Sequence, residues 1–464
     1  MTHVHLIGIG GSGISAIARL LLESGVEVTG SDRTLSPFAV DLQKAGVRVS
    51  IGHDAKNVAG ADMVVRSSAI PDDNPEVRAA LEAGTPVLKR SDFIGEWMAS
   101  RTGIAVAGTH GKTTTTAMIA WMLHSLDQDP SFIVGGVINN LGVNAHAGKG
   151  KPFVIEADEY DRMFLGLRPI IEVITNLEHD HPDCYPTMAD MTAAFEEFIR
   201  LLPNEGTLVA SAEDKGAAGM LHFAQRQGRR TVTFSIQGEI TISTPLWVLG
   251  RNVKPNNRGG YSFDAISNLP KGGLQSVSVA LRVPGEHNVR NALAAMAVTG
   301  LLGLPLDRAA RALGEFEGTG RRFEIRAETG GILVIDDYAH HPTEIRATLA
   351  GARARYPQRR IWAVWQPHTY SRTKALFDQF VHAFDAADQV VVTEVYAARE
   401  AKQNFSAGQI VQNMSHPGVH FIPTLSEVSN YLITHLRAGD VLLVLSAGDA
   451  DQVSTEVLTR LKGK

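Results

Sequence analysis

Val106-Ala107-Gly108-Thr109-His110-Gly111-Lys112-Thr113-Thr114-Thr115-Thr116 stands between two apolar segments. The run before it, Gly103-Ile104-Ala105-Val106-Ala107, predicts a short buried strand, and Ala117-Met118-Ile119-Ala120-Trp121-Met122-Leu123 predicts a helix. A glycine-rich turn from strand to helix gathers backbone N–H groups and the positive end of the helix dipole around one point, which suits phosphate. Lys112 adds a mobile positive charge, and the Thr113 hydroxyl is of the type that ligates Mg²⁺. In the full G-x-x-x-x-G-K-[ST] pattern the first glycine would stand at position 106, where Val106 is found. The loop is a shortened relative of that pattern.

Working outward, residues 1–100 alternate strand-like and helix-like segments. Val4–Ile7 predicts a strand, Ile14–Ser24 a helix closed by Gly25, and Val26–Gly30 a strand ending at Ser31-Asp32. Strands are also expected at Val47–Ile51, Met63–Arg66 and Pro86–Leu88, which gives a parallel sheet covered by helices. The first turn, Gly8-Ile9-Gly10-Gly11-Ser12-Gly13, matches G-x-G-x-x-G, and Asp32 lies at the spacing of a ribose-binding acid. The turn is open to two readings, a tight turn without ligand or a diphosphate site. Its place at the first strand–helix junction favours the second, without saying which nucleotide; turns of this type also serve UDP-bearing substrates.

After the phosphate loop, strands are expected at Phe153–Ile155, ending in Glu156-Ala157-Asp158-Glu159-Tyr160-Asp161, and at Ile170–Asn176, ending in Leu177-Glu178-His179-Asp180-His181. Carboxyl ends of strands form the ligand crevice of open α/β sheets. These acid and histidine clusters therefore read as metal-binding loops. Glu156 suits the hard cation Mg²⁺; His181 is a less usual ligand for it, and His179 reads better as a solvated loop residue. From Ile236 to Val283, short β-branched runs at Ile240-Thr241-Ile242, Trp247–Leu249, Tyr261–Phe263 and Val277–Val283 suggest a small antiparallel extension. Pro284-Gly285-Glu286-His287-Asn288-Val289-Arg290-Asn291 then opens the helix Ala292–Leu302; its amides could cap that helix or read a base edge. From Gly320 the pattern of apolar strand and polar strand end returns. It does so at Ile332–Ile335 before Asp336-Asp337, Ile361–Val364 before Gln366–Thr373, Val390–Thr393, and Val441–Leu445, and predicts a third, parallel α/β unit.

Bulk properties agree with several cores. The chain has 464 residues, 44% hydrophobic and 20% charged, with a net charge of −5 and both signs mixed. No basic stripe points to nucleic acid or a membrane surface. One cysteine, Cys184, excludes an internal disulfide and fits a reducing cytoplasm. No signal peptide or membrane-length apolar run is expected. The expected architecture is α/β in three units: 1–100 holding a substrate, 101–318 holding a nucleoside triphosphate, and 319–464 closing over both. A kinase, an ATP-dependent ligase or a motor would each fit this arrangement.

The ordered set of motifs resembles the Mur ligase family, the ATP-dependent enzymes that build the peptidoglycan stem peptide. The resemblance is carried by Gly108–Thr115, Glu156–Glu159, Asn176–His181, Gly285–Asn291, Gly320–Glu324 and Asp336–Glu344, and it spans nearly the whole chain. Gly8–Gly13 and Gln366-Pro367-His368-Thr369-Tyr370-Ser371-Arg372-Thr373 are most similar to the branch that joins L-alanine to UDP-N-acetylmuramate. The resemblance implies two Rossmann-like domains flanking a central ATPase domain. It also implies a reaction through an acyl phosphate, with ATP as substrate and Mg²⁺ as cofactor. It implies Lys112, Glu156, His181 and Arg322 as catalytic residues, with Thr113 and Glu156 on one Mg²⁺ and His181 on a second. ATP would meet Gly108, Thr109, His110, Gly111, Lys112, Thr113 and Thr114, with Asn288 and Asn291 at the adenine, Arg322 at the phosphates and Asp337 at the ribose. Gly10, Gly11, Gly13, Asp32, Ser67 and Ser68 would line the UDP site; Tyr338, His340, His368 and Arg372 would form the amino-acid end. A monomer or homodimer, with no nucleic acid or membrane partner, is expected.

Two departures stand out. Several relatives carry a carbamylated lysine on the helix after His181, but here no lysine occurs between His181 and Lys215, and Phe195 falls near the expected place. Thr369 stands where some members have arginine. The competing readings are a ligase that attaches tripeptide, a nicotinamide-dependent dehydrogenase built on Gly8–Gly13 and Asp32, and a silent nucleotide-binding protein.

Overall fold

A computed structural model describes residues 2–236, 244–270 and 273–463. Among these residues the chain builds three sheets. The first is all parallel, in the order Arg48–Ile51, Glu27–Asp32, His3–Ile7, Met63–Arg66, Val87–Lys89. The central ten-stranded sheet places Thr102–Ala107 between Ile171–Ile174 and Pro152–Glu156, all parallel. The carboxyl ends of all three strands therefore open at one edge. Leu246–Pro255, Tyr261–Ser267 and Gln275–Ala280 form the antiparallel extension. Of the segments expected there, Ile240-Thr241-Ile242 lies outside the described residues.

The helix Lys112–Ser125 begins inside the phosphate-loop motif, directly after Gly111. Four successive threonines, Thr113–Thr116, are poor helix formers. Here they are buried, and burial overrides propensity; the Thr116 hydroxyl donates to Lys112 O at 2.8 Å. The helix is buried almost all round, between the sheet and the equally buried helix Glu286–Leu301. That second helix starts before Asn288 and Asn291, so both amides lie on its first turns. Its N-cap is Gly285, and Asn288 Nδ2 donates to Pro284 O at 2.7 Å.

The third sheet runs Glu324–Thr329, Ile332–Asp337, Val441–Leu445, Ile361–Trp365, Gln389–Val392, Val419–Phe421. The expectation of a purely parallel unit is corrected at one edge: Glu324–Thr329 pairs antiparallel with Ile332–Asp337. Its charged, half-exposed pattern, Glu-Ile-Arg-Ala-Glu-Thr, hides an edge strand from hydropathy. The buried strand expected at Ile332–Ile335 runs on through Asp336 and Asp337. Asp336 is held by Arg326 and Ser454.

The units meet at close range. A Cβ on Gly95, in the helix Arg90–Ala99, would lie 2.0 Å from Gly166 O. Only glycine lets the first unit's last helix seat on the central unit there. Glu23 adds a second tie, accepting from Ala147 N at 2.8 Å.

Candidate active site

The phosphate loop is held from beneath. Gly108 and Gly111 take φ of 128° and 80°, a region that side chains disfavour. The His110 N–H donates to Asn176 Oδ1 at 2.8 Å, and the Thr109 hydroxyl donates to Glu178 O at 2.9 Å. Lys112 Nζ donates to Gly108 O at 2.6 Å and to Glu159 Oε1 at 2.8 Å. Glu159 is 1% exposed. Burial alone would push its carboxyl up, but Lys112 and His181 outweigh burial and hold it below the usual range. Glu159 thus keeps a counter-charge under the lysine, a role its motif did not reveal.

Glu156 lies at the next strand end. Its Oε1 accepts from the Thr113 hydroxyl at 2.9 Å and its Oε2 from Gly135 N at 2.6 Å. Burial pushes this carboxyl up, against the pull of Lys112. An oxygen pair on a half-buried carboxylate at a strand end fits a hard divalent cation. His181 sits at φ 52° with Nδ1 buried and without a hydrogen-bond partner, and its Nε2 is 3.5 Å from Glu159 Oε1. That orphaned nitrogen fits a second ion. Phe195 is fully buried against Phe164, so the helix Met188–Ile199 packs apolar residues there. His179 is structural: its Nε2 contacts Tyr185 O at 2.8 Å.

Two cavities flank these groups. One, of about 800 Å³, lies between the central and third units and is lined by His110, Gly111, Thr113, Thr114, Asn288, Asn291 and Asp337, among others. Asp337 accepts from Phe323 N and Ala339 N, and burial pushes its carboxyl up to about 6. The other, of about 690 Å³, reaches from Gly13 and Arg90 past Lys112, Glu156 and His181 to Tyr338, His340, His368 and Arg372. Thr113, Arg322 and Glu344 line both cavities. Arg322 lies over the Tyr338 ring at 5.1 Å, with its Nη1 3.6 Å from Glu344 Oε1.

At the far end, Arg372 is 4% exposed and donates through Nε to Asp180 Oδ1 at 2.8 Å. Its Nη1 is 3.1 Å from His368 Nδ1. Burial would raise the Asp180 carboxyl, but Arg372 holds it well below the usual range. Burial holds His340 at about 3 and His368 at about 4, so both imidazoles are neutral at pH 7. Thr369 takes φ 65° and is buried, its N–H donating to Tyr396 O at 2.9 Å. His110 lies between two carboxylates, Nε2 2.6 Å from Glu178 Oε1 but out of line for a hydrogen bond, and Nδ1 3.2 Å from Glu344 Oε1. Burial lowers its imidazole, but Glu178 and Glu344 raise it to about 9.

In the first unit, Gly10 N donates to Asp32 Oδ2 at 2.9 Å, and a Cβ on Gly13 would run into the Arg90 guanidinium. Ser67 accepts from Ala69 N at 3.4 Å, and Ser68 Oγ lies 3.7 Å from Met163 Sδ. Gly11 is the N-cap of the helix Ser12–Glu23. Ser67, Ser68 and Asp32 are outside the lining of the second cavity, which Gly13 joins. Arg90, Glu159, Glu178, Asp180 and Glu344 are the site residues without an assigned role from sequence. Asp180 and Glu344 act through partners more than a hundred residues away and Glu178 through His110, 68 residues earlier (178 minus 110), which no local pattern encodes.

Beneath the Gly8–Gly13 turn lies a buried network. Gly8 N and Ile9 N donate to Ser31 O, while the Ser31 hydroxyl donates to Glu76 Oε2 at 2.6 Å and Asn57 Nδ2 to Glu76 Oε1 at 2.6 Å. Burial would raise the Glu76 carboxyl, yet His5, Ser31 and Asn57 hold it down at about 2. A carboxyl depressed in the folded state contributes stability that is complete above about 4.5 and lost as pH falls toward 2. Between pH 5 and 2, wild type is expected to lose on the order of 2 kcal/mol more stability than Glu76→Gln, read by urea unfolding. Parallel pH profiles for the two proteins would refute this.

Residues 3–102 match "Mur ligase family, catalytic domain", residues 106–299 "Mur ligase middle domain" and residues 321–448 "Mur ligase, glutamate ligase domain". The chain is 42% identical over 464 residues to a UDP-N-acetylmuramate–L-alanine ligase of Roseiflexus sp. (strain RS-1), covering 99% of each chain. A similar relative of Renibacterium salmoninarum is 42% identical over 458 residues, covering 99% of this chain and 96% of that one. Among solved structures, the UDP-N-acetylmuramate–alanine ligase of Thermotoga maritima superposes with a TM-score of 0.80 at 30% identity, covering 100% of both chains. A murein peptide ligase of Psychrobacter arcticus 273-4 does so at 0.71 and 28% identity, covering 100% of this chain and 99% of that one. Among the described residues, no helix is long and apolar enough to cross a membrane.

Proposed function

Because the chain belongs to the Mur ligase family, we propose that it joins L-alanine to the carboxylate of UDP-N-acetylmuramate at the expense of ATP, in the cytoplasm. The observation that carries this reading is the meeting of two cavities at Thr113, Arg322 and Glu344, beside Lys112 and Glu156. Nucleotide occupies the cavity of Asn288, Asn291 and Asp337, with its phosphates on the loop Gly108–Thr114. The UDP group rests on unit 1–100, at Gly10, Gly11, Gly13 and Asp32 with Ser67 and Ser68 nearby, and the muramyl carboxylate enters the second cavity. Unit 101–318 holds the triphosphate, and unit 319–464 supplies the amino-acid end at Tyr338, His340, His368 and Arg372.

A carboxylate is a poor electrophile. Its attack on the γ-phosphorus gives an acyl phosphate and ADP; the alanine amine then adds to the carbonyl, and inorganic phosphate leaves. Lys112 and Arg322 stabilise charge on the transferring group. Mg²⁺ held by Thr113 and Glu156, with a second ion at His181, would supply further neutralisation of that charge. Arg372, kept in place by Asp180, offers its guanidinium to the alanine carboxylate. Closure of the third unit excludes water, which would otherwise hydrolyse the acyl phosphate.

The test is phosphate release from Mg·ATP with UDP-N-acetylmuramate, adding L-alanine or the stem tripeptide in parallel. Release that needs the muramyl substrate and prefers alanine is expected. Preference for tripeptide would transfer the chain to the murein-peptide branch, and release independent of the muramyl substrate would overturn the reading.

A further inference from the structure

His110, Glu178 and His341 come from three segments: the phosphate loop, the loop after strand Ile171–Ile174, and the start of helix Pro342–Arg355. Each offers a ligand atom within 4.8 Å of the other two. The His110 and His341 rings lie 4.6 Å apart, tilted by 46°. His341 is 1% exposed; its Nδ1 accepts from Thr343 N at 3.3 Å, which leaves Nε2 buried with no hydrogen-bond partner. Glu178 is oriented by Thr343, whose hydroxyl donates to Oε2 at 3.2 Å, leaving Oε1 toward His110. A buried orphan nitrogen beside a second imidazole and a fixed carboxylate is the donor set of a borderline transition ion rather than of Mg²⁺.

We propose that His110, Glu178 and His341 form a site for a divalent transition ion of the Zn²⁺ type, distinct from the phosphate-transfer ions, which pins the third unit to the phosphate loop. Tetrahedral bonds of about 2.0–2.1 Å place ligand atoms about 3.3 Å apart. Separations of up to 4.8 Å therefore shorten by about 1.5 Å at most, within side-chain reach. The ion replaces the proton on His110 Nε2, which is released to solvent, and a water completes the fourth position. Because His110 N–H belongs to the anion-binding loop, occupancy of this site restrains that loop.

The test uses the full chain without nucleotide in excess Mg²⁺, titrated with Zn²⁺ by calorimetry and with Co²⁺ by its visible absorption. One equivalent is expected to bind despite Mg²⁺, with Co²⁺ bands of a nitrogen–oxygen site. Glu178→Gln and His341→Ala should each weaken binding by at least about 10-fold. Since His341 also caps its helix, Glu178→Gln serves as the variant that leaves the fold intact, checked by thermal unfolding. His181→Ala should leave binding unchanged. Absence of binding in Mg²⁺, or binding lost in His181→Ala and kept in the other two variants, overturns the assignment.

Discussion

Lys112→Ala is expected to lower muramyl-dependent phosphate release by about 10³-fold or more, while UDP-N-acetylmuramate binds within a few-fold of wild type. The first effect follows from position: Lys112 is the cation at the loop, and its Nζ is already held by Gly108 O, Thr109 O and Glu159. An incoming phosphate replaces loop carbonyls as its partners, so no other side chain needs to move to supply the charge. The second effect follows from distance along the fold, since the Gly8–Gly13 turn and Asp32 belong to a separate sheet. Single-turnover phosphate release and calorimetric binding of the UDP substrate check the two halves separately. Loss of both would break the assignment of substrate to the first unit, and near-normal turnover would remove Lys112 from the chemistry. Lys112→Arg should not restore wild-type rates, because a guanidinium does not fit between three oxygens placed for an ammonium.

Arg372→Ala is expected to raise the KM for L-alanine by about 100-fold and to destabilise the protein by about 3–5 kcal/mol. Both partners of the Asp180–Arg372 pair are 4% exposed, so truncating one strands a buried charge. Stability and recognition can be separated by the double variant Asp180→Asn/Arg372→Met, which removes both charges. It should recover most of the stability and none of the alanine affinity. Denaturant unfolding and alanine-dependent kinetics are the measurements. An unchanged KM in Arg372→Ala would move the amino-acid end elsewhere in the cavity.

The apolar strand followed by a polar strand end is legible where burial on both faces leaves a near-continuous hydrophobic run. Thr102–Ala107, Ile332–Asp337 and Val441–Leu445 follow that rule. Ser131–Ile138 escaped it because Gly135 and Gly136 interrupt the run at the point where the backbone approaches Glu156. Glu324–Thr329 escaped it because an exposed edge strand carries charges. The site divides in the same way. Glu156 and His181 could be singled out because Glu156 ends a strand beside the phosphate loop and His181 lies in the polar loop after the neighbouring strand. Glu159 was quoted within its motif yet carried no role, since nothing local says that it is buried under Lys112. Glu344 lies in a motif whose partner, His110, is 234 residues earlier (344 minus 110), and only folding joins them.

Thr113, Arg322 and Glu344 form a wall common to both cavities, and with nucleotide and UDP substrate in them as proposed, a common wall makes the two ligands thermodynamically interdependent. Any rearrangement of Arg322 toward one anion changes the field felt by the other. Whatever factor separates UDP-substrate affinity with and without nucleotide, the same factor must separate nucleotide affinity with and without the UDP substrate. In the proposed reaction the affinity for ADP after phosphoryl transfer is therefore tied to the state of the acyl group on the far side of that wall.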